Sequence, residues 1–67
     1  MPTERDIYRS AGVLVRQYGR DAPLEAARFA DAMLAKGDIE GQQAWKRIMR
    51  AAHELLRAQP EEGERRH

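Results

Sequence analysis

The sequence predicts an all-α fold, a compact three-helix domain. Three observations carry the prediction. Apolar residues recur at helical spacing in three separate stretches. Each stretch is bounded by a capping residue or a glycine. No stretch shows the alternation of a strand. With 67 residues the chain has room for one domain and one small core, and a chain near this size buries only about 60% of the surface its unfolded form exposes.

The first helix is predicted over about residues 4–18. Thr3 precedes it as a side-chain cap, and Glu4 and Asp6 suit the positive end of the helix dipole. Ile7, Ala11, Leu14 and Tyr18 then follow at intervals of four, three and four, which is one helical face. Tyr8 and Val15 widen that face, and Val13 lies opposite it. Gly19 is the expected stop. Gly12 falls mid-helix, where glycine costs about 1 kcal/mol relative to alanine; a close helix approach would explain it.

The second helix is predicted over about residues 22–36, with Asp21 as its cap and Pro23 in the first turn, where a missing N–H does little harm. Ala26, Ala27, Phe29, Ala30, Met33 and Leu34 form a broad apolar arc, whose alanines allow neighbouring helices close. Gly37 ends this helix and Asp38 caps the third, predicted over about 39–58. Trp45, Ile48, Met49, Ala52, Leu55 and Leu56 make its apolar stripe. Pro60 cannot continue the helix. The expected core is Ile7, Leu14, Tyr18, Phe29, Met33, Leu34, Trp45, Ile48, Met49, Ala52 and Leu55. The domain is read as 1–59, followed by a disordered polar tail, 60–67, without an apolar residue from Glu61 onward.

Gly19, the run Asp21-Ala22-Pro23, Ala26-Ala27, Gly37-Asp38, Gly41, Trp45 and Ile48 together resemble a group of short alphaproteobacterial proteins of unknown function. Those sequences place a glycine, Ala-Pro, an alanine-rich helix, Gly-Asp, glycine and tryptophan at similar spacing. The resemblance covers about two-thirds of the chain. It implies a bacterial source and a helical fold, and it carries no activity, cofactor or site.

Charge and composition narrow the function. Twelve Lys and Arg against eleven Asp and Glu give a net charge of +1, far from the excess of a dedicated nucleic-acid binder. The absence of cysteine excludes disulfides and thiolate zinc sites and fits a reducing compartment. The start of the chain has no apolar stretch of signal-peptide type, and no run approaches the roughly 20 apolar residues of a membrane span. The chain is read as cytoplasmic, with no membrane contact.

Catalytic inventories are thin. One Ser (Ser10), one Thr (Thr3) already assigned as a cap, and no Cys leave no activated nucleophile beside a base. His53 and His67 are the only imidazoles; Glu54, next to His53, diverges from it on a helix. Asp38 and Glu40 are explained as a cap and a first-turn acid. Gly37 and Gly41 lack the preceding strand and the Gly-Lys-Ser/Thr of a phosphate loop. The chain is expected to be no enzyme, with no catalytic residue, cofactor or metal.

One surface feature stands out. Lys46, Arg50, His53 and Arg57 share a stripe of the third helix, with Arg47 on its flank. Between Gln42 and Arg57 basic residues outnumber acids four to one, whereas Glu4 to Glu40 carries six basic residues and seven acids. Such a stripe is a solvated flank, a seat for an acidic protein, or a phosphate contact. The second and third helices also allow a helix-turn-helix reading, but Asp38 and Glu40 would stand where DNA is met. The expected function is therefore a small helical protein-interaction module without catalysis. Its partner is another protein or a second copy of itself. Candidate contacts are Tyr8, Val13 and Val15 on the first helix and Lys46, Arg50, His53 and Arg57 on the third. The alternative is a nucleic-acid-binding helical domain using the basic stripe.

Overall fold

In a computed structural model, which describes residues 2–58, the chain is all-helical. Its elements are α1 (Glu4–Tyr18), a 3-10 turn (Gly19–Asp21), α2 (Ala22–Ala35) and α3 (Ile39–Ala58). The expected helix at 22–36 ends one residue earlier, with Lys36 as its C-cap. The tail expected at 60–67, and residue 59 of the expected domain, lie outside the described residues.

Local chemistry sets the boundaries. Thr3 is extended, and its Oγ1 accepts the Asp6 N–H at 3.2 Å, satisfying one of the free donors of the first turn. Gly19 takes φ +59°, in the left-handed region that side chains avoid, and its N–H donates to the Val15 carbonyl. Asp21 does not cap α2. Its backbone is already helical and its side chain accepts no capping bond, because the 3-10 turn carries the chain from α1 into α2 without an extended residue between them.

The end of α2 is a Schellman motif. Gly37, at φ +82°, donates to the Leu34 carbonyl at 2.9 Å, and the Asp38 N–H donates to that of Met33 at 2.9 Å. Asp38 then turns from ending one helix to starting the next. Its Oδ1 accepts the Gly41 N–H at 2.8 Å, and its carbonyl accepts that of Gln42 at 3.0 Å. A Cβ on Gly41 would stand 2.6 Å from Asp38 Oδ2 and 2.9 Å from Met33 Sδ. Gly41 is therefore where the cap and the end of α2 close over α3.

Packing follows the alanines. α2 lies along α3 in the most extensive contact, α1 packs on α3, and α1 and α2 touch least. The buried side chains are Ile7, Ala11, Leu14, Ala22, Pro23, Ala26, Ala30, Ile48, Ala51 and Ala52. Val15, Trp45, Met49 and Leu55 pack against this core from its edge, half-buried. Among the described residues no large side chain is fully buried, and no polar or charged side chain is buried.

Three of the expected core residues stand outside. Tyr18 is 42% exposed, Phe29 38% and Leu34 48%. Tyr18 is the last residue of α1, where the helix gives way to the turn. Phe29 and Leu34 flank the Ala26–Ala30 face that meets the neighbouring helices. The Phe29 ring stacks on Trp45, centroids 4.5 Å apart and planes 26° from parallel. Trp45 and Met33, expected in the core, are half-buried. Glu4, Ile7 and Tyr8 at the start of α1 meet the 47–54 part of α3.

The two glycines inside helices give opposite expectations. A Cβ at Gly12 meets nothing within 4 Å, so no close approach among the described residues explains it. Gly12→Ala should raise unfolding free energy by about 0.5–1 kcal/mol through helix preference. Gly41→Ala should lower it by about 1 kcal/mol, because the displaced Asp38 cap outweighs that preference. Urea unfolding followed at 222 nm measures both signs; a gain at Gly41 would contradict the cap.

Candidate functional site

The residues that sequence analysis singles out do not form one site. Lys46, Arg50, His53 and Arg57 share the outer side of α3, away from Ile48 and Ala52. Arg50, His53 and Arg57 are exposed and Lys46 is half-buried. Lys46 borders a shallow recess of about 170 Å³ with Ala27, Ala30, Asp31, Gln42 and Met49. Tyr8 and Val13 are exposed, and Val15 is half-buried against the core.

Arg50 belongs to a different place, a cleft of about 230 Å³ between the start of α1 and the middle of α3. Glu4, Ile7 and Tyr8 line it from α1, and Arg47, Arg50, Ala51 and Glu54 from α3. Ile7 and Ala51, both core residues, form its floor. The side chains above that floor are two guanidinium groups, two carboxylates and a phenol.

Among the described residues one hydrogen bond is made within the cleft. The Tyr8 hydroxyl donates to Glu54 Oε1, joining the first helix to the third across 46 positions of sequence. That bond, followed by partial desolvation and the charges of Glu54 and Glu4, raises the Tyr8 phenol above its ordinary value near 10. Glu54 is four residues after Arg50, the less favourable order for an ion pair along a helix. Arg47 and Arg50 make no hydrogen bond or ion pair among the described residues. The ion pair between side chains of the described residues that the structure does show is Arg28 to Glu25, at 3.4 Å on the exposed side of α2.

Sequence reasoning placed Tyr8 on an apolar flank and left Arg47 and Glu54 outside the candidate set. A helical wheel of α3 puts Arg47, Arg50 and Glu54 on one side. No local signal says that Tyr8 arrives there, because the pairing depends on how α1 crosses α3.

Among the described residues no three His, Cys, Asp or Glu side chains gather as metal ligands, and no helix is long and apolar enough to cross a membrane. Compared with protein-family models, with curated proteins and with solved structures, the chain matches none.

The Tyr8–Glu54 bond has a spectroscopic signature. A raised phenol pKa means the neutral hydroxyl is favoured in the folded state. The stabilisation is then complete below the unfolded value near 10 and is lost as pH rises through the higher folded value. In a Tyr18→Phe background, titration at 295 nm should place Tyr8 above 10, and Glu54→Gln should bring it down. An unchanged titration in Glu54→Gln would remove the bond from the account.

Proposed function

We propose that the chain is a small three-helix protein-interaction module that acts without catalysis, and that its first partner is a second copy of itself. One observation supports this above the others. The core is lined mainly by alanine, while Leu24, Phe29, Leu34 and Ile39 hold large apolar surface in water. Burying a side chain of that size is worth about 1.5–3 kcal/mol, against roughly 0.8 kcal/mol for the single methyl of an alanine. A domain this small gains most from covering such groups by association.

The end of the α2–α3 pair offers the place. Phe29 and Trp45 already stack there, and Leu34 and Ile39 stand exposed on either side of the turn. Aromatic pairs with one open face are common anchors of protein interfaces. The exposed basic residues of α3 give such a module a second, charged surface for an acidic partner. Asp38 at the start of α3 is held as a cap, and with Glu40 it sets negative charge where a recognition helix would approach phosphate. That weighs against nucleic acid as the partner. A cytoplasmic setting and kinship with the short alphaproteobacterial proteins belong to the same proposal and rest on the sequence features given for them.

Sedimentation equilibrium of the full chain from about 1 µM to 1 mM tests the self-association. A monomer–dimer equilibrium is expected, and Phe29→Glu should weaken it at least tenfold, since a buried charge without a partner costs more than 1.4 kcal/mol. A monomer throughout that range would overturn the homodimer.

A further inference from the structure

The cleft between α1 and α3 points to a second, chemically distinct contact. We propose that Arg47 and Arg50 form a seat for carboxylate side chains, and that the ligand is an acidic segment of a partner protein. The proposal rests on the reading of the chain as a protein-interaction module, and not on self-association.

The two guanidinium groups lie three residues apart on α3, so they stand on adjacent turns of one face. Neither has a partner among the described residues, although Glu4 and Glu54 line the same cleft. The Tyr8 hydroxyl explains part of this: it engages Glu54 and draws that carboxylate towards α1. The cleft therefore holds Glu54 back and leaves two planar, five-donor groups without a partner among the described residues. Guanidinium forks match carboxylates with two parallel N–H···O bonds.

Size and charge select among anions. About 230 Å³ is below the range of roughly 300–1,000 Å³ for small-molecule pockets, and suits one or two inserted side chains. Glu4 and Glu54 would both repel a phosphate dianion, whereas a carboxylate brings one charge on two oxygens. The apolar floor of Ile7 and Ala51 can receive the methylene stem of Glu better than a bare ion.

The test is titration of the ¹⁵N-labelled full chain with three probes: blocked tetraglutamate, blocked tetralysine and inorganic phosphate. Tetraglutamate should give saturable shifts centred on residues 4–8 and 47–54. Arg47→Gln with Arg50→Gln should weaken it at least tenfold while leaving sedimentation of the chain unchanged. Tyr8→Phe keeps every charge but frees Glu54 to compete for Arg50, and should weaken binding severalfold. Its effect decides the matter even if the double variant fails to fold. Phosphate binding more tightly than tetraglutamate would overturn the carboxylate assignment. Shifts spread evenly along α3, or an equal loss in Lys46→Gln with Arg57→Gln, would overturn the cleft. A dimer that persists while tetraglutamate fails would reject this seat and leave self-association standing.

Discussion

The constraint on which the rest of the structure depends is the alanine-lined contact among the helices. Ala11, Ala22, Ala26, Ala30, Ala51 and Ala52 are buried, and Ile7, Leu14, Pro23 and Ile48 are the larger side chains buried with them. Short side chains let helix backbones approach closely, and dispersion contacts accumulate over the shared length. They also remove little apolar surface per residue. The same choice that fits α2 tightly on α3 leaves the larger side chains at the edges. Phe29, Leu34 and Ile39 are among the large apolar side chains left exposed.

Within that constraint, local chemistry does much of the specifying. Gly37 and Asp38 complete the hydrogen bonds at the end of α2, and Asp38 begins α3 two residues after the α2 C-cap. A turn this short makes α2 and α3 neighbours before any long-range contact forms. The Asp38–Gly41 cap, the Met33 side chain above it and the Phe29–Trp45 stack then lie along one end of the pair. The N-terminal helix is attached differently, through the buried faces of Ile7 and Leu14 and the Tyr8–Glu54 bond at the surface.

What could be read from the sequence divides along the same line. Thr3, Gly19, Gly37 and Asp38 mark boundaries through bonds made within a few residues, and the helix limits follow them closely. Asp21 misled because a 3-10 turn can do without an extended capping residue. Tyr18, Phe29 and Leu34 fit the helical period but not the burial, since period gives a face and not how far a neighbouring helix extends over it. The cleft was hidden for the same reason. Arg50 was visible as one of a basic stripe, but its grouping with Glu4 and Tyr8 exists only once α1 crosses α3.

The central claim is that this fold is completed by apolar surface from a second copy. Thermal unfolding of the full chain at concentrations from about 5 µM to 500 µM tests it most directly. If association covers the exposed apolar groups, the midpoint must rise with concentration, because the partner binds the folded state. A midpoint that stays constant over the whole range would contradict the claim and leave the alanine core as the complete source of stability.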